Sequence, residues 1–316
     1  MKIVCLTHYY IEDNRAGGEM MIHGILKYLV AQGHDVTALI TNNCRLNTVI
    51  DGVKVIYAVD KLRVLDTYDY DLVISQFDNS LIAIQHAHKN GKLVSLAVHN
   101  DHPATQQLVG MLDKRDLAIF NTEWISNKIK TRAKKVVVHP PIEIVKQDKT
   151  EDRKYVTIVN LVREKGADIF YQIARSMPSV LFMGVKGGYW KDRQNIQPCV
   201  NVLIQENTDN MYRDVYSKSK IVLMPSTYES YGMVAAEAIS YGIPVICSPQ
   251  TGLKENLGES GIYINPTDIP SWVDSIRRLL SEPDYYNSQS KLCKDRAKSK
   301  NFEEELKKLS EMVASL

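Results

Sequence analysis

Long apolar runs are absent from the 316-residue sequence, since no stretch reaches the roughly 18 consecutive apolar residues that span a bilayer. The first residues, MKIVCLTHYY, also lack the apolar core and the small-residue cleavage site of a signal peptide. The five cysteines are widely scattered and form no C-x-x-C pair, which argues against a disulfide framework and a zinc cluster. We therefore expect a protein of the reducing cytoplasm, with peripheral membrane contact left open.

The sequence also has little net charge and lacks the common nucleotide and metal motifs. Its 39 basic and 37 acidic side chains give a formal charge of +2, so overall charge indicates no partner. It contains no Walker loop and no Gly-x-Gly-x-x-Gly. An Asp-x-Asp pattern occurs at Asp69–Asp71 but precedes an apolar strand pattern, and His86 and His88 lie on different helix faces. We predict no metal site and no bound cofactor.

What is present is an alternation of short apolar runs with helical patterns, which is typical of parallel sheets with crossover helices. The charged segment Val145–Lys154 has little to bury and predicts a linker between domains 1–146 and 147–316. The predicted fold class is α/β, with two Rossmann-like domains whose parallel sheets face each other across a cleft. The predicted strands are Lys2–Thr7, Asp35–Ile40, Val53–Tyr57, Asp71–Ser75, Leu93–Val98, Leu117–Asn121, Lys135–His139, Tyr155–Asn160, Val180–Gly184, Val200–Gln205, Ile221–Pro225, Pro244–Ser248 and Gly261–Ile264. The predicted helices are Glu19–Gln32, Ala167–Ser176, Met211–Lys218, Tyr231–Tyr241, Ser271–Leu280 and amphipathic helices within Tyr285–Leu316.

Two glutamates, Glu229 and Glu237, lie eight positions apart in the segment PSTYESYGMVAAEAISYGIPVICS. If a helix starts near Tyr231, Glu229 stands just before its N-terminus and Glu237 lies two turns inside it. The free N–H groups of Ser230, Tyr231 and Gly232 would then point outward at the positive end of the helix dipole, which suits a phosphate. A nucleotide sugar fits this layout, with Glu237 accepting from the ribose diol and Glu229 from sugar hydroxyls. On spacing alone, a dipole-favouring glutamate and a solvated helical glutamate are the simpler interpretation.

The context of this pair resembles the E-x7-E segment of retaining glycosyltransferases of family 4, which have the two-domain GT-B fold. Residues 16–39, AGGEMMIHGILKYLVAQGHDVTAL, are similar to that family's glycine loop, first helix and Gly-His-x-Val turn. Residues 159–170, VNLVREKGADIF, are similar to its Arg-x-x-x-x-Lys-Gly loop, and residues 250–264, QTGLKENLGESGIYI, to its Gly-x-x-Glu segment. The resemblance covers nearly the whole chain and implies a transferase that uses a nucleotide sugar.

For the donor phosphates, the resemblance implies that Lys165, followed by Gly166, neutralises the diphosphate leaving group as a point charge. The chain departs from the family pattern at Asn160, where an arginine is expected. Arg163 is a candidate replacement, because a guanidinium can grip phosphate with two hydrogen bonds, but it is equally well explained as a surface charge. Glu255 corresponds to the Gly-x-x-Glu glutamate, and a helix-capping role stays open beside that one.

For the first domain, the resemblance places Gly17 and Gly18 in a loop where backbone amides approach the ligand. It also implies that His99, at the end of the pattern LVSLAVH, hydrogen-bonds the donor sugar near the reacting carbon. Asp101 and His102 are close enough in sequence to make this assignment ambiguous. We assign catalytic roles to His99, Glu229 and Lys165.

The predicted function is transfer of a hexosyl or pentosyl group from a UDP- or GDP-linked sugar to an acceptor hydroxyl, with retention and without metal. A nucleotide-sugar epimerase of the same fold and a non-catalytic nucleotide-sugar-binding protein stay open as alternatives. The acceptor is not indicated, and a lipid-linked sugar, a polysaccharide, a protein, a small molecule and a modified nucleic-acid base are all compatible. The basic clusters Asn127–Lys135 and Lys291–Lys300 are candidates for contact with an anionic surface, although most such clusters are solvated helix faces.

Overall fold

A computed structural model describes residues 1–13, 15–42, 46–58, 60, 63–142, 153–187 and 193–316. The chain divides into two compact units, one formed by Met1–Pro141 with Asn301–Leu316 and the other by Ile142–Lys300. Most of the predicted linker, residues 145–152, lies outside the described part. None of the described helices is long and apolar enough to cross a membrane.

The first unit is built on an eight-stranded sheet in the order β3-β4-β2-β1-β5-β6-β7-β8. All neighbouring pairs are parallel except β3 and β4. Strand β5 is buried along its whole length, as expected of a parallel strand covered on both faces. The strands are β1 (Lys2–Thr7), β2 (Asp35–Ile40), β3 (Thr48–Ile50), β4 (Val53–Tyr57), β5 (Leu72–Gln76), β6 (Leu93–Val98), β7 (Leu117–Phe120) and β8 (Lys134–Val137).

Helices cover both faces of this sheet and bury two apolar clusters. One cluster contains Met21, Ile25 and Leu29 from the first helix, and the other contains Ala83 and Ala87 from the second. These residues recur every three or four positions, the spacing of a helix with one buried face. The helices are α1 (Gly17–Ala31), α2 (Ser80–Lys89), α3 (Pro103–Gly110) and α4 (Glu123–Lys128).

The second unit repeats this arrangement with a six-stranded sheet in the order β11-β10-β9-β12-β13-β14, in which every neighbouring pair is parallel. Two buried apolar clusters, one on each face, contain Phe170 and Trp272 on one side and Ala238 and Leu253 on the other. The strands are β9 (Tyr155–Val159), β10 (Phe182–Val185), β11 (Val202–Gln205), β12 (Ser219–Met224), β13 (Val245–Cys247) and β14 (Gly261–Tyr263). The helices are α5 (Ala167–Ser176), α6 (Met233–Ser240), α7 (Thr251–Leu257), α8 (Ile269–Ser281) and α9 (Pro283–Lys298).

The last helix, α10 (Phe302–Ala314), belongs to the first unit. Its apolar face, Leu306, Leu309 and Val313, is buried in the same cluster as α1. Glu305 accepts hydrogen bonds from the backbone N–H of His139 at 2.8 Å and from its ring Nδ1 at 2.7 Å. The predicted division placed all of 147–316 in the second domain, whereas residues 301–316 pack with the first. An amphipathic pattern shows that a helix is covered, but not by which sheet.

Two of the predicted helices in the second unit differ from the structure next to the glutamate pair. The helix predicted at Tyr231–Tyr241 begins at Met233, because Gly232 has a left-handed conformation with φ of 85°. The helix predicted at Met211–Lys218 contains a π turn over Tyr212–Tyr216, a geometry that is frequent at functional sites. The predicted fold class, α/β with two Rossmann-like parallel-sheet domains, is confirmed.

Each sheet has a point at which its strand order changes direction. In the first unit the chain runs outward from β1 through β2 and later returns to β5 on the other side of β1. In the second it runs from β9 through β10 and returns to β12 on the other side of β9. Ligands of open α/β sheets bind beyond the carboxyl ends of the strands at such points. The loops after β1, β5, β9 and β12 are therefore where a site is expected.

Candidate active site

The loops that follow β9 and β12 are packed directly against each other. After β9, a 3₁₀ turn over Arg163–Lys165 ends at Gly166, which is left-handed with φ of 84°. A Cβ at Gly166 would lie 2.4 Å from the carbonyl oxygen of Pro225. The backbone N–H of Thr227 donates to the carbonyl of Glu164 at 3.0 Å. Glycine is required here both by its conformation and by the close approach of the second loop.

This packing brings Lys165 and Glu229 together. Lys165 Nζ donates to Glu229 Oε1 at 2.8 Å, and Ser226 Oγ donates to the same oxygen at 2.9 Å. The Glu229 side chain is only 9% exposed, and that of Lys165 is 27% exposed. A buried carboxylate is tolerated only when charge and hydrogen bonds compensate it, and these two donors supply both.

The start of α6 is fixed by α7. Asn256, which is buried, donates from Nδ2 to the carbonyls of Tyr231 and Gly232, both at 2.9 Å. Lys300 Nζ donates to the Tyr231 hydroxyl at 2.9 Å. A Cβ at Gly252 would lie 2.2 Å from the Ser230 carbonyl oxygen. The loop that carries Glu229 therefore rests on α7.

The sequence predicts free helix-start amides at Ser230, Tyr231 and Gly232, but the structure places the start of α6 later in the chain. Because α6 begins at Met233, the first amides of the helix are those of Met233 and Val234. The amides of Ala235 and Ala236 both donate to the Gly232 carbonyl. The positive end of the helix dipole thus lies about two residues later than the sequence predicts.

Glu237, the second glutamate, is held by the π turn. The Tyr216 hydroxyl donates to Glu237 Oε2, and the Tyr216 ring stacks on Tyr241 with ring centroids 5.6 Å apart. Burial raises the pKa of Glu237, and the Tyr216 hydrogen bond acts in the opposite direction because it stabilises the carboxylate. Burial, followed by the neighbouring Glu237, raises the pKa of Tyr216, so this hydroxyl remains a donor.

Asn160 and Arg163 do not join the Lys165–Glu229 pair. Asn160 is left-handed with φ of 73°, a conformation that asparagine adopts more readily than other residues with a side chain. Its side chain packs on Gly187, where a Cβ would lie 2.1 Å from Asn160 Oδ1, and this buried oxygen has no hydrogen-bond partner among the described residues. The Arg163 side chain is 87% exposed and pairs with Asp168 at 3.4 Å.

In the first unit, the loops after β1, β5 and β6 meet around His99. His99 Nε2 lies 2.7 Å from Gln76 Oε1, and its ring stacks on Phe77 with centroids 4.8 Å apart. The prediction placed Gly17 and Gly18 in a loop, but they are the first two residues of α1. A Cβ at Gly18 would lie 2.9 Å from the Phe77 ring. Gly18 therefore has a packing role, because it leaves room for the Phe77 ring. From the sequence, only the approach of its amide to a ligand was predicted. Burial lowers the pKa of His99 to about 4, so the ring is neutral at neutral pH.

The neighbours that made the His99 assignment ambiguous both make local contacts. Asp101 accepts a hydrogen bond from Lys128, and the backbone N–H of His102 donates to Asn100 Oδ1 at 3.1 Å. In the second unit, Glu255 lies inside α7, so it does not cap the N-terminus of that helix.

Among the described residues, one group of histidine and acidic side chains, His88, Asp113 and Asp116, is close enough to hold a metal ion. Asp116 is already used, since it accepts from His88 Nε2 at 2.8 Å and from the backbone N–H groups of Asp113 and Val94. In the Asp-x-Asp pattern, Asp69 pairs with the Lys2 side chain, and Asp71 accepts from the Lys2 backbone.

Several cations of the two basic clusters also turn towards the protein. Lys134 donates to the Ser315 carbonyl at 3.2 Å, and Lys135 donates to the Ile129 carbonyl at 2.6 Å. In the second cluster, Arg296 Nε donates to the Asn256 carbonyl at 2.8 Å. These contacts leave fewer charges for an anionic surface than the sequence alone indicates.

Sequence reasoning missed five residues that hold the predicted ones in place. Ser226 is part of the Pro-Ser pair before Glu229, so its position was visible but its role was not. Gly252 is the glycine of the Gly-x-x-Glu segment, so its position was also visible but its packing role was not. The other three act across the fold and left no local signal. They are Tyr216 and Asn256 in the second unit and Gln76 in the first.

Curated relatives match parts of the chain. The D-inositol 3-phosphate glycosyltransferase of Corynebacterium urealyticum is 33% identical over 104 residues, covering 32% of this chain and 24% of the relative. The enzyme of the same name from Mycolicibacterium smegmatis is 27% identical over 202 residues, covering 54% of this chain and 46% of the relative. The matches therefore span less than half the length of these relatives.

Solved structures match the whole chain at low identity. Sucrose-phosphate synthase from Thermosynechococcus elongatus has a TM-score of 0.78 at 15% identity, covering 100% of this chain and 99% of that one. Anabaena HepE, in complex with UDP-glucose, has a TM-score of 0.80 at 14% identity and covers 100% of both chains. These likenesses show the GT-B type of fold.

The model of the family "Glycosyl transferases group 1" matches residues 141–299. This segment is half of the chain and contains Lys165, Glu229 and Glu237, together with their partners Ser226 and Tyr216. The protein belongs to the group 1 glycosyl transferases.

Proposed function

We propose that the protein is a retaining glycosyltransferase of family 4 that moves a sugar from a UDP- or GDP-linked donor to an acceptor hydroxyl. The observation that carries this proposal is the contact of Lys165 with the buried Glu229 beyond the carboxyl ends of β9 and β12. A cation and a carboxylate at one point suit a ligand with an anionic group next to hydroxyl groups. A nucleotide sugar has both within a few bonds.

Each group of the pair keeps capacity for a ligand. The Lys165 ammonium has three protons, of which Glu229 takes one, so two remain for phosphate oxygens. Both described donors to Glu229 bind Oε1, which leaves Oε2 to accept from a sugar hydroxyl. Glu237 likewise uses Oε2 for Tyr216 and keeps Oε1 for a ribose hydroxyl.

Catalysis in this proposal is positional and electrostatic. As the bond between the sugar and the diphosphate breaks, negative charge grows on the leaving phosphate, and the fixed ammonium of Lys165 stabilises it. The acceptor hydroxyl attacks from the face that the diphosphate leaves, and the leaving phosphate takes the hydroxyl proton. No metal is needed in this scheme, because Lys165 and the first amides of α6 supply the positive charge.

The donor and acceptor classes are proposed from chemistry and from the relatives. HepE, whose structure holds UDP-glucose, makes UDP-hexoses the first donors to try. The curated relatives are named for inositol 3-phosphate, so a small phosphorylated polyol is a first acceptor. Contact of the two basic clusters with an anionic surface stays a prediction, as does the contact of His99 with the donor sugar.

A thermal-shift screen of the full chain against UDP- and GDP-sugars tests the proposal. A donor that binds the folded state at about 100 times its Kd stabilises it by roughly 2.7 kcal/mol and raises the melting temperature. The donor that does so is then incubated with an acceptor panel, and the products are analysed by NMR. A glycoside with the donor's anomeric configuration supports the proposal, and an inverted product contradicts retention.

Two other outcomes identify other functions. Donor binding without turnover on any acceptor indicates a nucleotide-sugar-binding protein, an alternative that Asn160 and the outward-turned Arg163 favour. An isomerised nucleotide sugar formed without acceptor indicates an epimerase. A chain that no nucleotide sugar stabilises would overturn the proposal.

Replacing Glu237 by alanine is expected to weaken binding of the donor's nucleoside diphosphate by about 1–3 kcal/mol, the loss of a charge-assisted hydrogen bond. Calorimetric titration with UDP and GDP measures this change. Glu206→Ala is the matched control, because Glu206 is 74% exposed and pairs with Lys186 at the surface. Equal affinity of the Glu237 variant and the wild type would remove the ribose-binding role.

A further inference from the structure

A continuous chain of hydrogen bonds runs from the loop after β1 to His99. Thr7 Oγ1 donates to the carbonyl of Tyr9 at 3.2 Å, and Gln76 Nε2 donates to Thr7 Oγ1 at 2.9 Å. Gln76 Oε1 lies 2.7 Å from His99 Nε2. Thr7 and Gln76 are both about 1% exposed, so water does not compete for these groups.

The direction of these hydrogen bonds determines which ring nitrogen of His99 carries the proton. The Thr7 hydroxyl has a single proton and gives it to Tyr9, so Thr7 can only accept from Gln76. The amide nitrogen of Gln76 must therefore face Thr7, which turns its oxygen, an acceptor only, towards His99. Nε2 of the ring must then carry the hydrogen, and in a neutral imidazole Nδ1 carries none.

We propose that Gln76 is a positioning residue that locks His99 as its Nε2–H tautomer, so that Nδ1 presents a lone pair and receives the hydrogen of a ligand hydroxyl. Nδ1 makes no hydrogen bond to any residue that the structure describes. That the hydroxyl belongs to a sugar rests on the proposed function. The tautomer selects the chemical class of the partner, because a phosphate or carbonyl oxygen would place its own lone pair against that of Nδ1.

The orientation of the ring is fixed by its other neighbours. Phe77 stacks on the imidazole with an interplanar angle of 26°, and it does so from a left-handed conformation with φ of 52°, which is uncommon for a residue with a side chain. Gly18 leaves room for that ring. Asn121 Nδ2 holds the backbone carbonyl of His99 at 3.2 Å. The side chain and the backbone are thus both constrained, and Nδ1 has one direction in which to accept.

Long-range ¹H–¹⁵N NMR of the full-length protein labelled on histidine reads the tautomer directly. A His99→Gln variant identifies the His99 signals among those of the eight histidines. We expect the wild type to show an unprotonated Nδ1 and a protonated Nε2 at neutral pH. A protonated Nδ1 in the wild type would overturn the proposal, whatever the protein's activity.

Two variants test whether Gln76 causes this state. Gln76→Glu keeps an acceptor opposite Nε2, so Nε2 is expected to stay protonated, while the added carboxylate shifts the protonation of Nδ1 to higher pH. Gln76→Leu removes the acceptor and is expected to give a mixture of tautomers and a value of kcat/KM for the sugar donor about tenfold lower, the loss of one hydrogen bond. An unchanged Nε2–H pattern in Gln76→Leu would refute the role of Gln76.

The control is Gln106→Leu, which removes an exposed glutamine whose side chain donates to the Asp101 carbonyl in the same unit. Its His99 signals should match the wild type. The NMR result is independent of turnover, so failure of the proposed function and failure of this inference are separable. If the Nε2–H tautomer is observed but no nucleotide sugar stabilises the protein, only the proposed function is refuted.

Discussion

Lys165→Met should lower turnover with the donor found in the screen by about 10²–10³-fold, the effect of removing one group that stabilises transition-state charge. Methionine has a similar length but no charge, so packing beside Gly166 is retained. Glu229 keeps its hydrogen bond from Ser226 and loses its cation. Affinity for UDP or GDP, measured by calorimetry, should fall about 10–100-fold, because charge-assisted hydrogen bonds to phosphate are lost.

Lys186→Met is the matched control for this variant. Lys186 belongs to the same unit, is 29% exposed and pairs with a glutamate at 2.6 Å, but its partner Glu206 is exposed. Surface pairs of this kind contribute little, so turnover and affinity should stay near the wild-type values. If the two lysine variants have the same kcat, Lys165 does not stabilise the leaving group.

Gly252→Ala is expected to destabilise the second unit and to abolish nucleotide binding. The added Cβ would lie 2.2 Å from the Ser230 carbonyl oxygen and 2.4 Å from that of Glu229, and both are backbone atoms that cannot rotate away. Overpacking of this kind costs about 1–3 kcal/mol, although alanine recovers up to about 1 kcal/mol through its higher helix propensity. A melting temperature several degrees lower, measured by calorimetry, should accompany the loss of UDP binding.

Gly110→Ala provides the comparison. Gly110 is also helical, and a Cβ there would meet no atom within 4 Å. The substitution should leave the melting temperature unchanged or raise it slightly. If Gly252→Ala binds UDP as tightly as the wild type does, UDP binding does not depend on the contact between the Glu229 loop and α7.

The fold was predictable because the pattern of apolar runs is strong in both halves. Buried parallel strands such as Leu93–Val98 are almost continuously apolar, and their bounds agree with the prediction. Strand β3, Thr48–Ile50, was not predicted. It is a three-residue edge strand without full burial, and such strands have no distinctive pattern. Edge strands are defined by the neighbour they pair with, which a local pattern does not show.

The Lys165–Glu229 contact could be anticipated only through the family pattern, because 64 residues separate the two side chains. The start of α6 was placed too early for a physical reason. Tyr231 and Gly232 have their carbonyls held by Asn256, and a Cβ at Gly232 would lie 2.4 Å from Leu253. These contacts come from α7 and override the local helix pattern.

The roles of Tyr216 and Gln76 could not be predicted from the sequence. Each is a positioning group whose partner is distant in sequence, 21 residues for Tyr216 and 23 for Gln76. A tyrosine in a helical pattern and a glutamine after a strand are both common without such a role. Their significance appears only when the partner atoms are placed.

Because α10 returns to the first sheet, residues 142–300 are topologically an insertion in the first unit. The segment matched by the family model, 141–299, almost coincides with that insertion. A chimera that exchanges the second unit between relatives therefore needs two splice junctions, one on either side of this segment. A single crossover that replaced everything after residue 141 would also exchange α10 for the relative's last helix, whose apolar face is not matched to the core of the first unit. Poor packing of that helix, and aggregation through the apolar surface it leaves exposed, would be the expected failure.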